Sequence, residues 1–301
     1  MSGLVIIPGS AHAGLAADIG PLVGAPVVPV QVDRFPDGEL SVRLLEAVRG
    51  RAAVIVQPTG PPVDTHLVEL LALADACRRA AADRVIAVTP YFGYARGDRR
   101  HGRREPIMAS LAARLIEAAG VTHLIALDLH APQIEGFFHI PVDDLSPFGV
   151  LLEAVRPSLP DDVVVVSPDL GRLALATRVA DELHTDAAVV HKRRLSGAES
   201  RPLQVIGDVR DRGCLIVDDM ITTGGTIAGC VDALLRAGAR AEILVAATHG
   251  LFASGAEDRL RLPAIRGVWV TDTLPHAGVG MPRTVVPIAP LIAEAVRRLG
   301  P

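Results

Sequence analysis

The segment CLIVDDMITTGGT, residues 214–226, joins an apolar run to two acidic residues and a loop rich in glycine and threonine. The run is typical of a buried strand, and Asp218 and Asp219 stand at its end. Glycine lets a backbone approach an anion closely, and a helix that starts there points amide hydrogens at it. These residue types predict a phosphate-binding loop beside carboxylates that accept hydrogen bonds from vicinal sugar hydroxyls. An ordinary turn with carboxylate caps is the alternative. The loop residues are Thr222, Thr223, Gly224, Gly225 and Thr226.

Residues 89–100 (TPYFGYARGDRR) place arginines after aromatic side chains at the end of another apolar run. Fixed guanidinium forks suit polyphosphates, and aromatic rings supply apolar walls beside them. Arg96 and Arg99 are therefore candidates for binding a polyphosphate. A solvated basic loop is the alternative.

Two further apolar runs end in residues that can bind a cation. His130 follows one run together with Asp128, and Asp169 ends another. A histidine and a carboxylate at strand ends can hold Mg²⁺ over a nucleotide, with water completing the shell. The alternative is a structural histidine, which is the commoner role of a single histidine.

Two charged loops allow more than one interpretation. HKRR, residues 191–194, follows an apolar run and precedes the polar stretch SGAESRP. It predicts either a mobile lid that brings cations to bound substrates or a solvated loop. RFPDGE, residues 34–39, contains turn residues, and residue types alone favour a surface hairpin.

Together these motifs resemble those of a known family. Residues 214–226 are similar to the phosphoribosyl-pyrophosphate-binding motif of the type I phosphoribosyltransferase fold. With the other segments, that motif follows the order found in the ribose-phosphate diphosphokinase family, and the resemblance covers nearly the whole chain. Simple transferases share only the first motif. The other segments are residues 34–39, 89–100, 128–138 (DLHAPQIEGFF), 167–171 (SPDLG), and 191–194 with 206–209 (IGDV).

The resemblance implies that MgATP and ribose 5-phosphate give phosphoribosyl pyrophosphate and AMP, with Mg²⁺ as the cofactor. It implies that Lys192 and Arg194 are catalytic, that residues 222–226 bind the 5-phosphate, and that the two aspartates orient the ribose hydroxyls. In the family, a hairpin reaches the nucleotide site of a neighbouring subunit, which implies a homo-oligomer with a shared ATP site. The implied ATP-binding residues are Phe35, Asp37, Glu39, Arg96, Arg99 and His130, and the implied metal ligands are His130 and Asp169.

The sequence departs from the family pattern in several places. Gly97 stands where glutamine is common, which indicates a lost nucleotide contact, and Thr222 stands where bacterial members have aspartate. The loop at residues 99–107 and the stretch 194–200 look more like the archaeal-type branch, and the sequence ends without the usual bacterial tail. In bacterial members those regions help form the site of phosphate activation and ADP inhibition, so we expect this regulation to be weak or altered.

Three other functions compete with this interpretation. A non-catalytic regulatory member that binds nucleotide or phosphoribosyl pyrophosphate would lack catalytic residues, whereas the lid cations, the candidate metal ligands and the double aspartate are all present. A phosphoribosyltransferase would lack the N-terminal half and the HKRR segment. A nucleic-acid-binding protein requires a basic face, whereas the formal net charge is -4.

Short apolar runs rich in valine and isoleucine supply the strands that must position these residues. They alternate with helical patterns, so we expect an α/β fold with mainly parallel sheets flanked by helices. The predicted strands are residues 4–7, 25–30, 52–57, 84–89, 123–128, 163–167, 187–191, 214–219, 242–248 and 268–272. The predicted helices are residues 65–82, which Asp64 can cap, 107–119, 171–184, 225–237 and 288–299.

The length of 301 residues favours two domains, which the resemblance makes two tandem phosphoribosyltransferase-type domains. Prolines and aspartates cluster at residues 141–162, where a boundary is plausible. We expect an ATP-side domain at 1–145, joined by the C-terminal helix 288–301, and a ribose-5-phosphate-side domain at 146–287. LIALDLHA (124–131) and LIVDDMIT (215–222) both end a strand in aspartate, which indicates either an internal duplication or chance.

Composition sets the outer limits of these interpretations. Hydrophobic residues make up 50% of the chain and charged residues 21%, which excludes a disordered or fibrous protein. The three cysteines are far apart, so we expect reduced thiols in a cytoplasmic protein. No apolar run approaches the ~20 residues of a spanning helix, and no export signal is visible, so we expect no membrane partner. The formal net charge of -4 gives no global basic field, so we expect no nucleic-acid partner.

Overall fold

The chain divides into two compact units, each with its own parallel sheet. This computed structural model describes residues 3–100, 102–191, 203–276 and 281–300. No helix in these ranges is both long and apolar enough to cross a membrane. The first unit comprises Met1–Ser146, Thr273–Pro275 and Pro287–Pro301, and the second comprises Pro147–Asp272 and His276–Val286.

The first unit contains a parallel five-stranded sheet and a separate antiparallel hairpin. Its strands are β1 (Leu4–Pro8), β2 (Val30–Arg34), β3 (Leu40–Leu44), β4 (Ala52–Val56), β5 (Arg84–Thr89), β6 (His123–Leu127) and β7 (Val142–Leu145). The sheet has the order β1-β4-β5-β6-β7, and β2 pairs with β3. The central strands are buried along almost their whole length, as expected when helices cover both faces of a parallel sheet.

The second unit contains a larger, mostly parallel sheet. Its strands are β8 (Val164–Ser167), β9 (Ala187–His191), β10 (Gln204–Ile206), β11 (Cys214–Ile221), β12 (Ile243–Gly250), β13 (Ile265–Thr271) and β14 (Thr284–Val286). They follow the order β10-β9-β8-β11-β12-β13-β14, and the edge strand β10 is antiparallel to β9. Strand β11, which carries the double aspartate, therefore lies in the interior of the sheet.

Helices cover both faces of each sheet. They are α1 (Ala13–Val23), α2 (Val63–Arg79), α3 (Met108–Ala118), α4 (Phe148–Val155), α5 (Leu173–Leu183), α6 (Gly225–Arg236), α7 (Ala256–Leu260) and α8 (Ala289–Arg298). In the first unit, α1 and α8 share a core with Ile6 and Val54, and α2 and α3 share the opposite core with Ile55. The expected α/β class, with mainly parallel sheets flanked by helices, is confirmed.

Both units follow one order of elements. In the first, β1 and α1 precede the hairpin, and then come β4, α2, β5, α3, β6 and β7. In the second, β8 and α5 precede β9 and β10, and then come β11, α6, β12, α7, β13 and β14. By position in the sheets, the counterpart of β11 is β4. The similar segments LIALDLHA and LIVDDMIT end β6 and β11, which hold different positions, so their likeness does not mark equivalent strands.

Two predictions about individual elements are wrong. Residues 25–30 form a single bridge between Val27 and Ile6 before β2 begins at Val30, because Pro26 and Pro29 have no N–H to donate to a neighbouring strand. Helix α2 begins one residue before Asp64, so this side chain lies in the first turn rather than at the cap. There its carboxylate accepts a hydrogen bond from the Tyr94 hydroxyl.

Candidate functional site

The two adjacent aspartates lie buried at the carboxyl end of β11. Strand β11 pairs with β8 up to Ile216 and with β12 through Asp218 and beyond, and Asp218 and Asp219 are 7% and 3% exposed. The backbone amide of Asp219 donates to Asp218 Oδ1 at 2.9 Å. Burial, together with the neighbouring Asp219 charge, raises the pKa of the Asp218 carboxyl well above its usual range. The site therefore holds one carboxyl that resists ionisation beside a second carboxylate.

An arginine that the sequence analysis did not select completes this acidic pair. Arg172 forms an ion pair with Asp219, and its side chain is only 14% exposed. The arginine follows the turn after β8, so two elements distant in the chain meet at the carboxyl edge of the sheet. Residue spacing gave no signal for this contact, because the parallel pairing of β8 with β11 creates it.

The loop after the aspartates has the geometry of an anion site. Gly224 adopts a left-handed conformation with φ of 73° and caps α6 without a side chain. The first amides of a helix have no acceptor within it, and they carry the positive end of the helix dipole. Thr223, Gly225 and Thr226 are exposed, while Thr222 is half-buried. The structure thus brings the predicted phosphate-binding residues together around one helix start.

Contacts from the segment after β12 fix the carbonyl groups of this loop. The amide of Ala253 donates to the Thr222 carbonyl at 2.8 Å, and Arg259 Nη1 donates to the Thr223 carbonyl at 2.8 Å. A carbonyl held by another partner cannot turn toward an anion, where it would repel the charge. The loop is therefore held with its acceptors engaged.

The arginine stretch of the first unit leaves its guanidinium groups on the surface. Arg96 and Arg99 are exposed, whereas the intervening Asp98 is buried and accepts a hydrogen bond from Gln133 Nε2. A β-carbon at Gly97 would stand 3.0 Å from Met108 Cβ, so a larger side chain fits there only if Met108 shifts. Glycine at this position is compatible with the neighbouring methionine.

The two predicted metal ligands follow strands of different units. His130 is half-buried beyond β6, where the amide of Leu129 donates to Asp144 Oδ1 at 3.0 Å. Asp169 is exposed beyond β8, and its Oδ1 accepts from the Gly171 amide at 2.8 Å. An exposed carboxylate suits Mg²⁺, which keeps several waters and takes few protein ligands when nucleotide phosphates bind it. Within the described ranges, no three His, Cys, Asp or Glu side chains form a group that could hold a metal.

Residues 34–39 comprise the last residue of β2 and the tight turn that leads to β3. The turn is closed by Phe35 N donating to the Glu39 carbonyl at 2.9 Å, and Gly38 has a φ of 93° that favours glycine. Asp37 Oδ1 accepts from the Glu39 amide at 3.1 Å, while the Phe35 side chain is 55% exposed. The predicted surface hairpin is present, and contact with a neighbouring subunit stays a prediction. Lys192 and Arg194 lie outside the described residues.

Comparisons with known proteins give similarity over almost the full length. A family model described as the N-terminal domain of ribose phosphate pyrophosphokinase matches residues 4–120, and one described as the phosphoribosyl synthetase-associated domain matches residues 188–300. The ribose-phosphate pyrophosphokinase of Chromobacterium violaceum is 43% identical, over 98% of this chain and 91% of the relative. The ribose-phosphate pyrophosphokinase of Thermotoga maritima is 41% identical, over 98% of this chain and 94% of the relative. A crystal structure of phosphoribosylpyrophosphate synthetase from Mycobacterium smegmatis matches with a TM-score of 0.91 and 38% identity, over 99% and 98% of the two chains.

Proposed function

The chain belongs to the ribose-phosphate pyrophosphokinase family, and we propose that its two units divide the substrates of that enzyme between them. It transfers the pyrophosphoryl group of ATP to the 1-hydroxyl of ribose 5-phosphate, which gives phosphoribosyl pyrophosphate and AMP. In our assignment, the domain at residues 146–287 binds ribose 5-phosphate. The domain at residues 1–145, with the helix at 288–301, binds ATP.

The single observation that carries the assignment of ribose 5-phosphate is the combination at the end of β11. The helix start behind Gly224 offers amides to a terminal phosphate, and the hydroxyls of the three threonines add donors. Asp218 and Asp219 lie near the end of β11, just before this loop, where carboxylate oxygens accept hydrogen bonds from vicinal hydroxyls. A phosphorylated pentose presents these same two groups, which is why it fits this site better than a free phosphate or a free sugar.

On the ATP side, we assign polyphosphate binding to the exposed guanidinium groups of Arg96 and Arg99. His130 and Asp169 are the proposed protein ligands of Mg²⁺, which would supply neutralisation of negative charge on the transferring group. The exposed Phe35, with Asp37 and Glu39, is assigned to the ATP site of a neighbouring subunit in a homo-oligomer. We place the enzyme in the cytoplasm.

The chemical step needs positioning and electrostatic stabilisation more than covalent catalysis. The 1-hydroxyl oxygen forms a bond to the β-phosphorus of ATP and releases its proton to solvent, while the bond from that phosphorus to the AMP oxygen breaks. Negative charge on the phosphoryl oxygens would meet Arg99 and the two predicted catalytic cations, Lys192 and Arg194. These cations are assigned through the family motif HKRR at residues 191–194.

A coupled assay for AMP tests the activity directly. The purified chain is incubated with MgATP, with and without ribose 5-phosphate, and AMP is quantified. We expect AMP to form only when the sugar phosphate is present, together with one equivalent of phosphoribosyl pyrophosphate. Nucleotide binding without this turnover would instead support a non-catalytic regulatory member. Adding inorganic phosphate and ADP to the same assay tests the proposal that phosphate activation and ADP inhibition are weak or altered.

A further inference from the structure

Arg172 is a nearly buried cation in direct contact with the acidic pair at the end of β11. Its guanidinium pairs with Asp219, whose side chain is 4% exposed. An arginine stays charged in proteins, and a buried charge is tolerated when a partner compensates it. The ion pair therefore joins two charges that would each be unfavourable alone in this environment.

Three charged or ionisable groups share this small space. Asp218 and Asp219 are neighbours on one strand, and the amide of Asp219 donates to Asp218 Oδ1 at 2.9 Å. Two buried carboxylates in contact repel each other, and a positive charge close to one of them favours its ionised form. The guanidinium of Arg172 supplies that charge to Asp219.

We propose that Arg172 is a positioning residue for ribose 5-phosphate, which keeps Asp219 ionised and oriented as the acceptor for a ribose hydroxyl. The inference rests on the proposed function, which places the sugar at this acidic pair. The ion pair joins Arg172 Nη2 to Asp219 Oδ2, and a charge-assisted contact of this kind restricts rotation of the carboxylate, so its other lone pairs point in a fixed direction. A fixed acceptor loses less entropy when the hydroxyl binds, and the sugar binds more tightly.

The backbone that presents Arg172 is itself fixed. Asp169 caps the turn after β8 by accepting from the Gly171 amide at 2.8 Å, and the Ser167 hydroxyl donates to the Asp169 carbonyl at 2.6 Å. Arg172 follows in the same 3₁₀ turn and reaches Asp219. The turn that carries a proposed metal ligand is thus tied to the acids that would bind the sugar.

The competing explanation is that the ion pair of Arg172 has only a structural role. The KM values of variants for each substrate distinguish a positioning role from a structural one. The test compares Arg172→Met, which removes the charge, with Arg172→Lys, which keeps a charge without the fork. The control is Arg240→Met, which removes the ion pairs of Arg240 with Asp162 (2.5 Å) and Glu242 (2.8 Å). These residues precede β8 and β12, at the amino end of the same sheet and away from the acidic pair. Thermal unfolding of each variant confirms that the measured protein is folded.

We expect Arg172→Met to raise the KM for ribose 5-phosphate roughly 10- to 100-fold, with the KM for ATP changed less than about threefold. Arg172→Lys should recover part of that loss, and Arg240→Met should leave both KM values unchanged. In a double-mutant cycle with Asp219→Asn, the two losses should be strongly non-additive, because both variants remove one interaction.

Equal changes in both KM values, or additive losses in the cycle, would overturn the inference. If Arg172→Met does not fold, the KM values of Arg172→Lys and the cycle built on that variant decide the question. Wild-type activity separates this failure from that of the proposed function. An active wild type with an unaffected Arg172→Met contradicts only the role of Arg172, whereas a wild type that releases no AMP contradicts the function itself.

Discussion

The loops that follow β4 and β11 occupy the same position in the two units but have opposite character. Strand β11 carries the two aspartates near its end, and the chain then continues into threonines and glycines, of which Gly225 and Thr226 are exposed. After β4, Gln57 and Thr59 are 0% and 2% exposed. A β-carbon on Gly60 would stand 2.3 Å from Leu274 Cδ2, so a leucine side chain fills the space beside this loop. One loop is open to a ligand, and the other is packed as core.

Hydrogen bonds show why the loop after β4 is poorly suited to an anion, which needs donors. Gln57 Nε2 donates to the His66 carbonyl at 3.4 Å. The Thr59 hydroxyl and amide both donate to the Tyr91 carbonyl, at 3.2 and 2.9 Å. Prolines at positions 58, 61 and 62 have no N–H to donate. The position of a loop at the carboxyl end of a parallel strand is therefore insufficient for a site, and residue types decide whether one forms. In the first unit, the candidate residues follow β5 and β6 instead.

The largest effect should come from a residue in neither loop. Lys192→Ala should lower kcat roughly 10²- to 10⁴-fold, because a cation that acts on the transferring group matters in the transition state. The affinity for ribose 5-phosphate should stay within about threefold of wild type, since the β11 loop is intact. Single-turnover kinetics and a binding titration measure these two quantities. A kcat near that of wild type would remove Lys192 from the mechanism.

Gly224→Val tests whether the open loop needs its backbone conformation. The residue has a φ of 73°, and a β-carbon would stand 3.0 Å from the Ala256 carbonyl oxygen and 3.1 Å from Leu260 Cγ. The loop must move, so we expect the kcat/KM for ribose 5-phosphate to fall about 100-fold, while the KM for ATP changes little. The steady-state assay with each substrate varied in turn checks this. A fall that is equal for both substrates would argue against a separate sugar-phosphate site.

Asp218→Asn tests separately what this acid of β11 contributes to sugar binding and to stability. Asparagine replaces one carboxyl oxygen with an NH₂ donor, so the position loses an acceptor for a ribose hydroxyl, and the KM for ribose 5-phosphate should rise about tenfold. Burial raises the pKa of Asp218 in the folded chain. The contribution of this acid to the free energy of unfolding is therefore lost as pH rises from its ordinary pKa through the raised one. Below the ordinary value of 3.8, the acid is protonated in both states and none of this contribution is lost.

Stability of this variant therefore has a defined pH dependence. The free energy of unfolding of Asp218→Asn, measured in urea, should increase relative to that of the wild type as pH rises above about 4. Below that pH the variant should show no such increase. A stability difference that does not vary with pH would mean that Asp218 is not held in a raised-pKa state.

Gly60→Ala should have the smallest kinetic effect and is the matched control for the Gly224 variant. The new methyl group must displace the end of the Leu274 side chain, which should cost about 1–3 kcal/mol of unfolding free energy. Because this loop is packed as core, the KM for ribose 5-phosphate should not change. Denaturant unfolding and the same steady-state assay test this. A selective rise in that KM would show that the loop after β4 does contact the sugar phosphate.

Sequence patterns predicted the parts of this molecule that depend on local residue types. The run at residues 214–226 predicts its strand, glycine turn and helix because apolar residues, acids and glycines each have a strong local preference. Helix α1 was missed, because Gly14, Gly20 and Pro21 disfavour a helix that tertiary packing of Leu15 and Ile19 nevertheless stabilises. The ion pair between Arg172 and Asp219 depends on strand order, which local patterns do not specify.

Calorimetric titration of ribose 5-phosphate tests the central contrast between the two loops most directly. The wild type and the Gly60→Ala variant should each bind one sugar phosphate per chain with similar affinity, and the Gly224→Val variant should show no binding at the same concentrations. Unchanged binding by Gly224→Val, or its loss in a folded Gly60→Ala protein, would contradict the assignment of the 5-phosphate to the β11 loop.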